Sequence, residues 1–188
     1  MILLTFAYLG EAQSFIKNLA LTKVDNSLYK NDFFYLLITG EGETYTLKRL
    51  TLFLDSKKSE ITQVFNLGIA GSLTKELPLH SVHWVKSIIS STSTQQFETC
   101  SGNLRCISCD KRITLVAESN ELAKIADIVD REAWANAAVC NNFQLNFSCV
   151  KLISDYCDLS TPMDQATLIK NANTMSEKLF TSCQTFLN

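Results

Sequence analysis

The stretch from Val129 to Asp158, V-D-R-E-A-W-A-N-A-A-V-C-N-N-F-Q-L-N-F-S-C-V-K-L-I-S-D-Y-C-D, sets the reading of the whole chain. It opens on a close acidic pair, Asp130 and Glu132, takes helical spacing over 132–142, and returns as an apolar strand over 147–153 that ends on Ser154 and Asp155. A carboxylate at the start of a helix and another just past the carboxyl end of the next strand can meet in one crevice. Open α/β sheets bind small molecules in that crevice.

Upstream, residues 1–7 are an apolar run of strand length with a turn at Tyr8-Leu9-Gly10-Glu11. Phe15, Ile16 and Leu19 then recur at helical spacing over 12–21. Strands are predicted over 33–39, closed by Gly40-Glu41-Gly42, and over 59–67, followed by Gly68-Ile69-Ala70-Gly71-Ser72; a helix over 44–54 lies between them. Further strands are predicted over 82–90, 104–108 and 113–117, with a polar Ser/Thr/Gln loop over 90–101. A short helix is expected over 118–126, with Ser119 or Asn120 as its N-cap, and a long amphipathic one over 163–186, its apolar face carried by Ala166, Leu168, Ile169, Met175, Leu179 and Phe180. Strands that end in small-residue turns and alternate with helices predict an α/β fold: one domain over 1–188, three layers (α/β/α), and a mixed, mostly parallel central sheet.

Composition narrows the function classes. With 46% hydrophobic and 19% charged residues the chain reads as a soluble globular protein. Its net charge of −2 comes without a Lys/Arg block, which disfavours nucleic acid or an anionic membrane as partner. The apolar start lacks a basic flank and is broken by Glu11, so no export signal is read and a cytoplasmic location is expected. The seven cysteines are odd in number and sit largely within helix and strand patterns, which favours buried thiols over a disulfide framework. Cys106 and Cys109 have half the spacing of a zinc site, but no second ligand pair follows, and His80 and His83 lie three apart in a strand region, facing opposite sides.

Five pieces stand in a particular order: Ala7-Tyr8-Leu9-Gly10-Glu11, Gly40-Glu41-Gly42, Asn66-Leu67-Gly68-Ile69-Ala70-Gly71, Val129-Asp130-Arg131-Glu132 and Ile153-Ser154-Asp155. In that order and at those intervals the chain resembles the nucleoside phosphorylase and nucleosidase superfamily, most of all its methylthioadenosine/adenosylhomocysteine nucleosidases and futalosine hydrolases. The resemblance spans almost the whole chain. It implies that Asp155 protonates the purine as the glycosidic bond breaks, that Glu132 grips the ribose hydroxyls, and that Glu11 orients and deprotonates the attacking water. Ser154 and the backbone near Ile113 fall where the family holds the base, and Gly68 and Ile69 fall beside the sugar. The implied partner is a small-molecule nucleoside, with no cofactor and no metal, and the implied assembly is a homodimer.

The implied chemistry is self-consistent. A departing purine leaves an oxocarbenium-like sugar, so the base needs an acid and the water needs a base, and two carboxyl groups in different environments can divide those tasks. That division expects Asp155 to hold a proton near neutral pH through partial burial. Phosphorolytic relatives place an arginine shortly before the G-x-A-G turn; this chain has Asn66 there, and Glu11 in the first turn, which favours water over phosphate.

Four residues depart from the family pattern. Arg131 stands where a methionine usually packs beneath the sugar, and a guanidinium there is able to pair with Glu132 and occupy it. Arg112 falls where an aromatic commonly stacks on the base, Ile69 replaces a small or hydroxylated residue, and Lys151 replaces a frequent arginine. The region 90–104 is also shorter than usual. These departures keep two alternatives open: a non-catalytic nucleoside-binding or assembly relative, and a phosphate-dependent phosphorylase.

Overall fold

The computed structural model describes residues 1–158, 160–161 and 165–187, apart from the side chains of 165, 168 and 169. The predicted helix start at Met163 and the apolar positions Leu168 and Ile169 therefore lie outside the described residues. Strand β1 (Ile2–Phe6) leads into α1 (Leu9–Asn18), and a short hairpin of β2 (Thr22–Lys23) and β3 (Leu28–Lys30) precedes β4 (Phe34–Ile38). Next come α2 (Glu43–Lys57), β5 (Gln63–Ser72), β6 (Val82–Ser90), β7 (Phe97–Glu98) and β8 (Leu104–Ser108). The chain ends with α3 (Val116–Leu122), β9 (Ile128–Asp130), α4 (Ala133–Asn142), β10 (Asn146–Asp155) and α5 (Gln165–Leu187).

Alternate residues of the central strands feed two cores, as the two-residue period of a strand requires. Leu3, Leu37 and Val64 pack with Leu50, Leu54, Ala137 and Cys140 of α2 and α4. Leu4, Phe6, Leu36 and Leu67 pack with Phe15, Met175, Leu179 and Phe180 of α1 and α5. All seven cysteines are free and six are buried, as their positions within helix and strand patterns led one to expect.

The sheet is mixed, but it departs from an open, mostly parallel one. β4, β1, β5 and β10 run parallel to one another. Beyond them β10 pairs β6 antiparallel, β6 and β8 and then β8 and β9 pair in parallel, and β9 returns antiparallel onto the last residues of β5. The strands β5, β10, β6, β8 and β9 thus close on themselves. Closure is possible because β5 runs on through Gly68-Ile69-Ala70-Gly71-Ser72, where a turn was expected, and pairs β10 as far as Gly71. The strand predicted over 113–117 does not form: β6 and β9 occupy both edges of β8, so no ladder is left for it. Helix α3 begins instead after an extended Leu115, and Ser119 lies buried within it and does not cap it.

Candidate active site

Three element ends build the cleft. At the first, α1 starts three residues earlier than its apolar spacing suggested, so Glu11 falls in its first turn. Its carboxylate turns back to the chain: Oε2 accepts the Tyr8 N–H at 3.4 Å and Oε1 accepts the Ile69 N–H at 3.2 Å. It rests on Gly68, where an added Cβ would stand 3.3 Å from Oε1 and 3.4 Å from Oε2.

At the second, β9 passes into α4. Asp130 accepts the Ala133 N–H at 2.8 Å, the Ser108 hydroxyl at 2.6 Å and the Lys151 ammonium at 2.7 Å, so it closes the helix start and pairs a buried cation. Glu132, the residue just ahead of α4, sends its carboxylate away from its own helix to accept the Gly42 N–H at 2.6 Å. At the third, the register of β10 against β5 skips between Ile153 and Asp155. Such an irregularity re-aims side chains beside a site. The Ser154 hydroxyl lies 2.7 Å from Asp155 Oδ2 and 3.2 Å from the Ala70 carbonyl, and the Cys157 N–H donates to Asp155 Oδ1 at 2.9 Å.

Of the residues singled out from sequence, Glu11, Ile69, Arg112, Ile113, Arg131, Glu132, Ser154 and Asp155 all line one cleft; Gly68 does not, and backs Glu11 from behind. Arg131 does not occupy Glu132. Its Nη1 lies 3.0 Å from Glu41 Oε2 and its Nη2 donates to the Asp110 carbonyl at 3.0 Å. Tyr8, Glu41 and Cys157 also line the cleft and were not read as site residues. The signal for two of them was present, since Tyr8 and Glu41 sit inside motifs already singled out. Cys157 had none beyond its nearness to Asp155.

Burial dominates the electrostatics. It raises the Glu11 carboxyl to about 8, helped by the nearby Glu132 and opposed by Lys151. Glu132 is raised to about 7, again by burial first and then by Asp130, against Lys151. The Tyr8 phenol is raised by burial and by Glu11 and Glu41. Among the described residues, two buried side-chain polar atoms lack a partner, the Tyr8 hydroxyl and Arg131 Nε, and both residues line this cleft. An orphan donor in a buried place costs about 1–3 kcal/mol, and a ligand acceptor would recover it. The cleft encloses about 90 Å³ of free space, well under the roughly 300 Å³ at which small-molecule pockets begin.

No family model matches the sequence, and no curated protein does. Solved structures match over nearly the full chain. A futalosine hydrolase mutant of Helicobacter pylori strain 26695 superposes with a TM-score of 0.83 at 16% identity, covering 98% of this chain and 99% of that one. An aspartate-to-asparagine mutant of the Helicobacter pylori MTAN, with 5'-methylthioadenosine in its active site, gives 0.83 at 14% identity over 99% and 97% of the two chains. The MTAN of Chlamydia trachomatis gives 0.79 at 19% identity over 99% and 96%. The fold of this chain is the mixed α/β fold of these proteins, in agreement with the order of its motifs.

Proposed function

We propose that this protein is an N-ribosyl hydrolase that releases a purine-type base from a nucleoside or thionucleoside. The observation that carries the reading is that Glu11, Glu132 and Asp155, drawn from three distant element ends, line a single cleft. In this reading water adds to the anomeric carbon as the carbon–nitrogen bond to the base breaks. Asp155 delivers a proton to the departing ring nitrogen, and Ser154, hydrogen-bonded to it, fixes its direction. Glu132 accepts hydrogen bonds from the ribose hydroxyls. Glu11 takes the proton of the attacking water, a step general-base catalysis typically accelerates about 10²–10⁴-fold.

Burial raises the Glu11 carboxyl to about 8, so its ionised form, the one that acts as base, grows as pH approaches that value. Only the ionised fraction can accept the water's proton, and positive charge developing on the sugar stabilises that ionised form within the cleft. Ile69, Ile113 and Arg112 provide the walls for sugar and base. Hydrolysis is supported over phosphorolysis because Asn66 is buried, donates to Thr5 Oγ1 at 3.4 Å and accepts the Cys149 thiol, and so offers no phosphate contact.

The test is incubation with a nucleoside panel, including 5'-methylthioadenosine, with and without phosphate, followed by detection of free base. Base appearing only with phosphate would make the protein a phosphorylase; no base from any member would remove the hydrolase reading. A second reading, nucleoside binding without turnover, is favoured by Arg112 and Arg131 lining the cleft where the family places an aromatic residue and a methionine. Thermal stabilisation by a nucleoside with no product would support it. The homodimer implied by the resemblance belongs to the same proposal and is checked by sedimentation.

A further inference from the structure

Among the described residues, Lys151 is the one cation buried among the cleft's carboxyl groups, and the departing-base mechanism gives it no task. Its side chain is 2% exposed and its partner Asp130 1% exposed, at 2.7 Å. In the β10–β5 register Lys151 stands opposite Gly68. Residues paired across two strands share a face, and the Gly68 face carries the Glu11 carboxylate at van der Waals distance. Lys151 therefore leaves the sheet on the side where Glu11 rests. Its other end is tied to the start of α4. Asp130 also holds the Ala133 N–H and the Ser108 hydroxyl, and Ser108 in turn accepts the Trp134 N–H at 2.9 Å. Glu132 is the residue at that helix start.

We propose that Lys151 is a positioning residue of this site: paired with Asp130, it supplies a fixed positive charge beneath Glu11 and Glu132 and locks the helix start that carries Glu132. The groups that face Lys151 are Asp130 from β9, Glu132 ahead of α4, and the thiols Cys106 of β8 and Cys149 of β10. Glu11 is faced by Glu132, Lys151 and the N–H groups of Tyr8 and Ile69. Glu132 is faced by Asp130, Lys151, Arg131 and the Gly42 N–H. Lys151 is the cation common to both glutamates. Burial pushes its pKa down, but Asp130 together with Cys149, Cys106 and Glu132 outweighs that and holds the ammonium above the usual lysine range, so it stays charged wherever the site works. An arginine would spread its charge over a planar fork; the lysine concentrates it at one point.

The activity readout of this inference rests on the hydrolase reading, but its direct readout does not. Removing Lys151 alone strands Asp130, so the informative variant is D130N/K151M, which discharges both partners, with K151R as the variant that keeps the charge. Carboxyl titration of Glu11 and Glu132, followed by ¹³C NMR of glutamate-labelled protein without ligand, is the direct measurement. An opposite charge close to a carboxyl moves its midpoint by about 1–3 pH units. In the folded double variant the Glu11 midpoint is therefore expected to rise by about one unit or more, and K151R to return it toward the native value. The acid limb of kcat/KM for base release should move with it. Native titration in a folded D130N/K151M protein overturns the proposal, as does a K151R midpoint that follows the double variant. If the native protein releases no base, the hydrolase reading fails, while the NMR midpoint still decides the role of Lys151.

Discussion

Arg131 is held by Glu41, from a turn ninety residues earlier in the chain, at 3.0 Å, and not by its near neighbour Glu132. The guanidinium thus stays at one wall of the cleft, while Glu132 lines the same cleft with its carboxylate tied to the Gly42 N–H. An ion pair this exposed contributes at most about 1 kcal/mol, and the partnerless Nε offsets some of that. R131M is accordingly expected to melt no more than a few degrees from the native protein. It should also lower KM for the nucleoside while kcat changes less than about threefold, because the sugar side of the cleft opens. Differential scanning fluorimetry and steady-state base release check both parts. A tenfold rise in KM would assign Arg131 to substrate binding.

How much of this was legible before the fold was known differs from residue to residue. Glu132 and Asp155 could be read together because each sits at an element end, where local pattern and position coincide; Glu11 was added by the resemblance of the motif order. The closure of the sheet could not. It depends on a three-residue strand, Ile128–Asp130, and on β5 running through glycines that locally look like a turn. The hairpin between α1 and β4 was missed for a similar reason. It is short and polar, and is held by Asp25 Oδ1 accepting the N–H groups of Ser27 and Leu28. The orientation of Arg131 was out of reach because its partner comes from another turn, and charge alone favoured the adjacent Glu132.

The protons on the buried carboxyls make stability depend on pH. Glu11 and Glu132 are raised to about 8 and about 7, above the ordinary value of 4.5 that they regain on unfolding. Between these limits the folded chain binds more protons than the unfolded one, so stability falls as pH rises. The contribution is fully present below the unfolded value and is lost as pH passes through the folded ones. The slope is about 1.4 kcal/mol per pH unit for each extra proton held. E11Q cannot ionise, so its stability relative to the native protein should climb from pH 5 to pH 8. Urea unfolding at four pH values measures that difference; a flat or falling difference would show that Glu11 is already charged in the folded cleft.

Asp155 as general acid makes a prediction that depends on the leaving group. D155N keeps an acceptor for the Cys157 N–H and should fold with an unchanged melting temperature. Its turnover of purine nucleosides should drop about 10²–10⁴-fold. A 4-nitrophenyl riboside, whose leaving group departs without a proton, should lose far less. Equal losses on both substrates would mean that Asp155 orients the substrate and does not donate a proton.

Gly71 separates the packing of the cleft floor from its chemistry. A Cβ added there would run into the Cys157 sulfur and stand 3.1 Å from Asp155 Oδ1. The sulfur is fully buried on the chain's turn away from the sheet, and Cys157 takes a left-handed φ of 56°, so it has little freedom to yield. G71A is therefore expected to cost about 1–3 kcal/mol through overpacking and to lose turnover as Asp155 is pushed aside. C157A in the same background removes the sulfur but leaves the methyl group against the carboxylate. Stability should then recover by most of that cost while turnover stays low. Denaturant unfolding and base release, compared across G71A, C157A and the double variant, resolve the two effects. Recovery of turnover along with stability would mean that Asp155 tolerates displacement, and that its place in the mechanism is less exacting than a proton donor's.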